Sequence, residues 1–451
     1  MKPKTLFTEF FQYVALNICG MIGLSCYILA DTFFVSKGLG AKGLAALNLA
    51  IPVYSFVHGC GLMFGMGGAA RYSIFRGQKK YTDADMAFSH MIYAVLALAA
   101  VFMLTGVFLS ARLAAALGAE GEVFSMTKIY LQVILLFSPA FMMNDVLLCF
   151  VRNDGSPGLS MTAMLAGSLS NIVMDYIFIF PLHLGILGAV LATGCAPVIS
   201  MCILSLHRIK KQNHFHLKKA GFSLSFTAAT LSLGLPSLVT EAAAGIVMII
   251  FNSIILRLQG NIGVAAYGVV ANLALVVTSV HTGIAQGIQP MVSRLYGYGK
   301  LADMKKILTY AIISVLLISG FIYLIFLLAA GPITFAFNSE QNLQLQEIAE
   351  KGLKLYFTAI PFAGFNIVLS TFFASTEKAL PAQTISLSRG IFVIIPMAYL
   401  LSYFFKMTGI WLSYPVTEGI VTFLGIILYK IQAQKRLPPD YLVRQPYSKF
   451  R

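Results

Sequence analysis

The chain has few charged residues for its length. Asp, Glu, Lys and Arg together make up 11% of its 451 residues, whereas soluble domains carry about 25%. Hydrophobic residues make up 58%, and so few charges cannot cover a water-facing surface of this size. The composition excludes a soluble globular protein and predicts a polytopic membrane protein.

Catalytic and ATP-binding motifs are also missing. The sequence contains no Gly-x-Ser-x-Gly, no His-Glu-x-x-His and no Gly-x-x-x-x-Gly-Lys-Ser/Thr. The six cysteines lie in apolar stretches without metal-ligand spacing, so we expect reduced thiols and no structural metal. The sequence therefore predicts neither an enzyme nor an ATP-driven pump, and it predicts no cofactor other than an ion gradient.

The two halves of the chain resemble each other at an offset of about 222 residues, which indicates an internal repeat. The matching positions are Gly61 and Gly283, Gly65 and Gly287, Pro139 and Pro361, Phe150 and Phe372, and Gly188 and Gly409. Each half reads as a bundle of apolar helices. A repeat of this kind is typical of membrane transporters, whose binding sites lie between two related bundles.

Windows of about 20 apolar residues predict twelve transmembrane helices, six in each half. Six helices return the chain to its starting side, so the halves should be related by a pseudo-two-fold axis along the membrane normal. The predicted fold class is an all-α polytopic membrane protein with two six-helix lobes. We expect residues 1–208 to form the N-terminal lobe, 209–225 a basic linker, 226–432 the C-terminal lobe and 433–451 a tail.

The distribution of basic residues predicts the orientation. About two thirds of the 32 lysines and arginines fall in segments on the side of the two termini, and basic segments resist translocation. Both termini should therefore be cytoplasmic, in a bacterial inner membrane. The net charge of +15 fits attraction to anionic lipid, whereas binding to nucleic acid is a poor alternative because the charges are scattered.

The predicted linker contains His207, His214 and His216 within a basic stretch. Three histidines could bind a metal ion, but a basic loop that faces water or lipid is the more common outcome. We therefore expect a solvated linker between the lobes.

Several ionisable residues lie inside predicted helices, where each needs a partner or a function. They are the carboxylates Asp31, Asp145, Asp175, Glu241 and Glu418 and the arginines Arg71 and Arg389. Carboxylates outnumber arginines, so the interior should favour a cation over an anion.

The strongest group lies in the N-terminal half. Asn171 and Asp175 are four residues apart and share one helix face. Thr193 follows the next predicted turn at a matching depth, and Asp31 belongs to the same outer half of the membrane. These four residues form a candidate proton or sodium site. The alternative is that they only tie helices together, since an interhelical hydrogen bond contributes about 0.6 kcal/mol on average.

The motifs around these residues resemble the multidrug and toxic compound extrusion (MATE) family, in particular its MepA-like prokaryotic branch. They are Asp31 in Leu-Ala-Asp-Thr-Phe-Phe, Asn171 with Asp175, Thr193 in Leu-Ala-Thr-Gly, and Pro290 in Gln-Gly-Ile-Gln-Pro. The resemblance implies a V-shaped pair of lobes that exports organic cations in exchange for protons or sodium ions. It also implies that Asp31, Asn171, Asp175 and Thr193 form the ion-coupling site.

The C-terminal half departs from this pattern, because it carries Gln286 where some relatives carry a glutamate. We interpret Glu241, Gln286, Gln289 and Asp145 as candidates for the substrate cavity, although each could instead bind a neighbouring helix. Arg389 and Glu418 are expected to form a structural ion pair.

His58 and His281 occupy similar positions in the two halves. A neutral, hydrogen-bonded histidine is the more common state inside packed helices, but a pKa near neutrality leaves a role in proton transfer open.

The alternative function is a flippase for lipid-linked precursors, which would call for a cavity rich in arginine. A receptor or scaffold is a weaker alternative, because the sequence shows no soluble domain. The expected partners are small organic cations and the lipid bilayer, and the protein is expected to be a monomer.

Overall fold

The computed structural model describes residues 5–219, 223–338 and 342–434, and within these ranges the chain is almost entirely helical with no β-strand. The first half contains α1 (Leu6–Gly77), α2 (Tyr81–Ala116), α3 (Gly121–Leu136), α4 (Ser138–Asn153), α5 (Pro157–Ile179), α6 (Gly185–Leu204) and the short α7 (Leu206–Ile209). The predicted tail 433–451 lies almost wholly outside the described residues.

The second half contains α8 (Leu224–Gly297), α9 (Leu301–Leu328), α10 (Ala330–Phe337), α11 (Leu343–Tyr356), α12 (Ile360–Ser375), α13 (Ala379–Leu387) and α14 (Ile394–Gln434). A single 3₁₀ turn joins α11 to α12, and a π-helical turn, Ser388–Phe392, joins α13 to α14. The same order of long helices therefore appears twice.

Nine helical units within the described ranges are long and apolar enough to cross a membrane, if α3 and α4, which meet at 48°, count as one. Three of the nine contain a break, at Gly40 in α1, at Gly260 in α8 and at Lys406 in α14. Dividing these helices at their breaks gives twelve segments, which is consistent with the twelve predicted spans. Apolar side chains such as Leu317 and Phe423 stay exposed on the outside, as a lipid-facing surface requires.

The breaks at Gly40 and Gly260 are equivalent hairpins in the two halves. Gly40 has φ 65° and ψ −160°, and Gly260 has φ 63° and ψ −156°. This region of backbone space is open almost only to glycine, so each glycine permits the chain to turn back as the next span. Lys406, at the break in α14, also has a positive φ of 52°, although its side chain disfavours this conformation.

The two lobes meet through α1 and α8, at the end of the molecule that carries the interlobe linker. We call this end the linker side. Near it, the first residues of α1 pack into the hydrophobic core of the C-terminal lobe, where Phe10 and Val14 contact residues of α8 and α9. The contact is reciprocal, because Leu231 and Leu238, near the start of α8, pack against the hydrophobic core of the N-terminal lobe. The exchange follows the pseudo-symmetry that the repeat predicted.

Glycines bring the two lobes into backbone contact on the linker side. A Cβ atom placed on Gly234 would lie 1.8 Å from the Met63 carbonyl oxygen, and one placed on Gly67 would lie 2.4 Å from the Thr230 carbonyl oxygen. Side chains at these glycines would therefore separate the helices. Deeper in the molecule, Ser25 donates a hydrogen bond of 2.5 Å to Ser279 across the same interface.

The interlobe linker is docked on the N-terminal lobe, which corrects the expectation of a solvated loop. We call residues 213–218 the strap. Phe215 is buried, and its ring lies 4.6 Å from that of Phe88 and 5.8 Å from that of Phe150. The backbone N–H of His216 donates to Asp85 over 2.9 Å, and Lys218 pairs with the same carboxylate over 3.0 Å. An aromatic anchor and a carboxylate therefore fix the strap.

Asp154 is the second carboxylate that holds the linker. It accepts hydrogen bonds from the Tyr72 hydroxyl at 2.5 Å and from the backbone N–H of His214 at 2.7 Å, and Nε2 of His207 lies 2.8 Å away. Burial raises the pKa of Asp154, but the hydrogen bonds from His207, Tyr72 and His214 outweigh it and hold the pKa below its usual range. His207 and His214 therefore contact Asp154, and Nδ1 of His216 lies 3.7 Å from Oδ1 of Asp85.

Candidate functional site

Helices α5 and α6 form a hairpin that brings three of the predicted residues together. Asn171 and Asp175 lie on one face of α5, and both are completely buried. The chain turns at residues 180–184, and Thr193 then lies on the facing side of α6, 5% exposed. The four-residue spacing and the short turn therefore produce the shared depth that the sequence predicted.

The Asn171 amide connects the two helices. In the orientation that satisfies its neighbours, its nitrogen donates to Oδ2 of Asp175 over 3.1 Å and its oxygen accepts from the backbone N–H of Thr193 over 3.2 Å. The Thr193 hydroxyl instead donates to the carbonyl of Ala189, within its own helix. Thr193 thus contacts the Asn171 amide through its backbone, while its side chain is hydrogen-bonded to Tyr130.

Asp31 faces this cluster from α1. Its side chain is 7% exposed, and it interacts electrostatically with Asp175. The helix continues to the break at Gly40, nine residues beyond Asp31, so Asp31 lies about 13 Å from this end of the helix. Asp31 and Asp175 are therefore in one interior site and not on lipid-facing sides of the bundle.

In the part of the chain that the structure describes, no basic side chain is bound to the two carboxylates. Within the described ranges neither Asp31 nor Asp175 forms an ion pair, and Oδ1 of each is buried without a hydrogen-bond partner. Protons or a hard cation that prefers oxygen ligands would satisfy these atoms. Carboxylate and amide oxygens of Asp31, Asp175 and Asn171 are the groups available to hold it. Elsewhere in the described chain no group of three or more His, Cys, Asp or Glu is placed to hold a metal ion.

Sequence reasoning missed two tyrosines around this site. Tyr27 lies one helical turn before Asp31, and its hydroxyl is 2.7 Å from that of Tyr54. Tyr130 is 3% exposed and interacts electrostatically with Asp31 and Asp175. The four-residue spacing of Tyr27 and Asp31 was a usable signal, but nothing in the sequence places Tyr130 there.

Asp145, predicted as a cavity residue, instead lies beside a histidine. Oδ2 of Asp145 is 2.9 Å from Nδ1 of His58, and the Asp145 side chain is 5% exposed. The ring of Tyr54 stacks parallel to that of His58 at a centroid distance of 6.0 Å. The pair lies in the N-terminal lobe, next to the interface with the C-terminal lobe.

The C-terminal lobe carries the predicted partners Arg389 and Glu418 in direct contact. Arg389 donates to Oε1 of Glu418 through Nη2 at 2.6 Å and through Nε at 3.0 Å. The Asn366 amide donates to Oε2 at 2.7 Å, and Glu418 is 1% exposed. Arg389 lies in the π-helical turn between α13 and α14. The charges of Arg389 and Glu418 are therefore neutralised within one hydrogen-bonded pair.

A cavity of about 60 Å³ lies between the lobes, and Glu241 and Gln286 line it together with Arg389. Leu62 and Met66 form its wall on the N-terminal side. Gln289 is 1% exposed and accepts a hydrogen bond from Asn153 over 2.7 Å, so it joins the lobes instead of lining the cavity.

Two arginines connect the lobes, and the sequence analysis did not predict this role for either of them. Arg152, near the end of α4, is 2% exposed and donates to Asn17 and Gln286, each over 2.5 Å. Arg71 donates to Thr230 over 3.1 Å and reaches Glu377 over 3.3 Å. The linker side is therefore closed by polar contacts as well as by glycine backbone.

Comparison with known proteins agrees with this architecture. The family model described as MatE matches residues 18–177 and 236–400, one block in each half. The multidrug export protein MepA of Staphylococcus saprophyticus is 25% identical over 409 residues, which cover 89% of this chain and 88% of the relative. MepA of Staphylococcus haemolyticus is 25% identical over 434 residues, with coverage of 96% and 95%.

Solved structures share the fold. A MATE protein in complex with MaL6 superposes with a TM-score of 0.90 at 23% identity, covering 96% of this chain and 98% of the other. An outward-facing multidrug resistance MATE family transporter of the MOP superfamily gives a TM-score of 0.89 at 22% identity, with the same coverage. The predicted fold class is thereby confirmed.

The match in both halves, over well above half of the residues, agrees with the prediction that this multi-pass membrane protein is a transporter and not an enzyme. The chain belongs to the MatE family.

Proposed function

We propose that this protein is a secondary active antiporter that exports organic cations, including multiple drugs, in exchange for protons or sodium ions. The observation that carries the proposal is the cluster of Asp31, Asn171 and Asp175, two buried carboxylates with an amide and no basic partner among the described residues. The MepA relatives are multidrug export proteins, which supports the choice of substrate.

The coupling follows from electrostatics. Two ionised carboxylates inside a membrane domain repel each other and attract a cation. Protons or sodium ions that reach Asp31 and Asp175 remove this attraction. Binding of the coupling ion on one side of the membrane therefore favours release of an organic cation there, and loss of the ion on the other side restores the negative charge.

Alternating access accounts for the lobe arrangement. The lobes touch on the linker side through Gly67, Gly234 and Arg152. With both termini in the cytoplasm of a bacterial cell, as the basic residues indicate, the linker side is the inner side and this state is closed to the cytoplasm. Transport requires that these contacts open while the opposite side closes, and a monomer is sufficient for that movement.

The experiment measures efflux of a fluorescent organic cation from proteoliposomes under separately imposed proton and sodium gradients. We expect Asp175→Asn to fold normally but to lose gradient-driven efflux, because one of the two exchangeable charges is removed. Asp303→Asn is the matched control, since Asp303 forms only a surface pair with Lys306. Full efflux by Asp175→Asn would contradict the proposal, and the active gradient identifies the ion.

A further inference from the structure

His58 and Asp145 form a titratable pair that the coupling site does not use. They lie on α1 and α4 of the N-terminal lobe, 2.9 Å apart, and the side chains are 16% and 5% exposed. Close approach is possible because Gly61 has no side chain: a Cβ there would lie 2.4 Å from Oδ2 of Asp145. The pair is therefore tightly fitted but remains partly accessible at the histidine.

A third ionisable group reaches the pair from the other lobe. Glu241 of α8 packs against Gly59, the neighbour of His58, where an added Cβ would lie 3.1 Å from the Glu241 Cβ. Glu241 interacts electrostatically with both His58 and Asp145. It also lines the interlobe cavity, together with Arg389. One imidazole is thus placed between two carboxylates, one from each lobe.

No permanent cation competes with the histidine for these carboxylates. Within the described ranges, Asp145 pairs only with His58 and Glu241 forms no ion pair. Arg389, the basic residue at the same cavity, is already bound by Glu418 at 2.6 Å. The other groups that face His58 are the Tyr54 ring and, through it, the Tyr27 hydroxyl, and both are uncharged when protonated. The charge of this cluster therefore depends on the histidine.

We propose that His58 is a second proton site, and that its imidazolium occupies Asp145 and Glu241 until an organic cation takes its place. This inference rests on the proposed function. An organic cation that enters the interlobe cavity reaches Glu241 directly. Its positive charge stabilises the same two carboxylates and repels the imidazolium, so the N–H bond of His58 breaks and the proton leaves to water.

The physical reason is repulsion between like charges inside the membrane, because a cation bound next to the imidazolium disfavours the protonated form of the histidine. With imidazolium present, Asp145 is neutralised and Glu241 has a cation next to it. With an organic cation added, retention of the histidine proton would place two positive charges side by side. Release of about one proton from His58 for each bound cation keeps the net charge of the cluster unchanged.

The test measures proton release when tetraphenylphosphonium, a permanent organic cation, binds to detergent-solubilised full-length protein in weakly buffered solution. Asp31→Asn removes one of the two exchangeable charges of the coupling site and should leave a residual release from His58 and Asp175. We expect this residual release to fall by about one proton per bound cation in Asp31→Asn/His58→Gln. The matched control is Asp31→Asn/His281→Gln, because His281 is buried against Ser319 at 3.0 Å and faces no carboxylate in the described structure. It should keep the residual release.

The outcomes separate this inference from the proposed function. Equal release by Asp31→Asn and Asp31→Asn/His58→Gln overturns the role of His58, and so does complete loss of release in Asp31→Asn alone. Equal release by wild type and Asp31→Asn, together with a loss in His58→Gln, supports His58 while contradicting the coupling role of Asp31.

Asp31→Asn/Asp145→Asn provides a second variant if the His58 variant does not fold. Without its carboxylate partner the imidazole loses the adjacent negative charge that stabilises its protonated form, so the residual release should again fall by about one proton per bound cation. Unchanged release from this variant overturns the proposal. Competition with the His58 proton should itself contribute a weakening of tetraphenylphosphonium binding by up to about tenfold for each unit of decreasing pH over the range in which His58 titrates.

Discussion

The two lobes share a fold but treat buried charge in opposite ways. In the C-terminal lobe, Glu418 is matched by Arg389 at 2.6 Å and by the Asn366 amide. In the N-terminal lobe, Asp31 and Asp175 are buried together with no arginine or lysine bound to them among the described residues. A neutralised pair stabilises one arrangement of helices, whereas two unpaired carboxylates respond to any cation that arrives.

The repeat makes this difference visible at single positions. The offsets of 220 and 222 residues relate Gly40 to Gly260 and Gly61 to Gly283, and at these offsets no carboxylate stands at the counterparts of Asp31 and Asp175. The hairpin glycines, in contrast, have the same conformation in both halves. The backbone features that shape the fold are thus retained in both lobes, while the charges that would drive exchange occur in one.

The largest expected effect tests the neutralised pair. Arg389→Ala leaves Glu418 buried at 1% exposure without its cation, which should lower the free energy of unfolding by about 3–5 kcal/mol. Asp175→Asn removes an unpaired charge and should leave stability nearly unchanged. Thermal unfolding in detergent, followed by fluorescence, measures both variants side by side.

The double variant Arg389→Met/Glu418→Leu is the control for this comparison. It removes both charges from the buried site and should recover most of the lost stability, since a well-packed apolar pair is often neutral or stabilising. A double variant as unstable as Arg389→Ala would show that the pair is required for more than neutralisation. The same result would remove the contrast between the lobes.

An intermediate effect is expected at the two hairpin glycines, where the lobes should behave alike. Gly40→Ala and Gly260→Ala each force a side chain into backbone space open almost only to glycine, which should cost about 1–3 kcal/mol. Lys406→Gly should stabilise the protein, because it relieves a positive φ of 52°. Unequal losses for Gly40 and Gly260 in the unfolding measurement would contradict their structural equivalence.

The smallest effect concerns the linker, which docks on the N-terminal lobe. Asp154→Asn replaces charge-assisted hydrogen bonds with neutral ones and should cost about 1 kcal/mol at neutral pH. Because the pKa of Asp154 is lowered in the folded state, its contribution is present above the usual carboxylate pKa. It is lost as pH falls through the lowered value.

The pH dependence of the free energy of unfolding therefore distinguishes wild type from Asp154→Asn. The stability difference between wild type and Asp154→Asn should shrink in acid, as wild type loses the contribution that the variant never had. Unfolding at a series of pH values in one detergent checks this convergence. A constant difference at all pH values would show that Asp154 acts by packing alone.

Much of the fold was accessible from the sequence because membrane spans are long apolar runs and the repeat fixes their pairing. The approach of Asp175 and Asn171 followed from a four-residue spacing, and that of Arg389 and Glu418 from the need to neutralise buried charge. These predictions depend on local geometry or on a simple charge balance. Neither local geometry nor charge balance requires knowledge of tertiary packing.

Tertiary contacts explain what the sequence could not supply. Arg152 follows an apolar helix at the predicted loop, so its sequence position indicates an exposed residue, yet the other lobe covers it. The sequence of the strap predicts a basic loop, because Phe215 is one aromatic residue in a basic segment. The pocket that binds Phe215 is formed by Phe88 and Phe150, which are distant in the sequence. Tyr130 reaches the ion site from a helix whose sequence carries no polar pattern.

The glycine contacts on the linker side separate the closure between the two lobes from the lining of the interlobe cavity. Gly67 and Gly234 close that side by placing main chain against main chain, and this part of the contact makes no use of the side chains that line the interlobe cavity. Cavity residues other than Gln286, which is bound by Arg152, can therefore change while the main-chain contact between the lobes is preserved. The proposed export of diverse organic cations would benefit from this separation, because the cavity can vary without weakening the closed side.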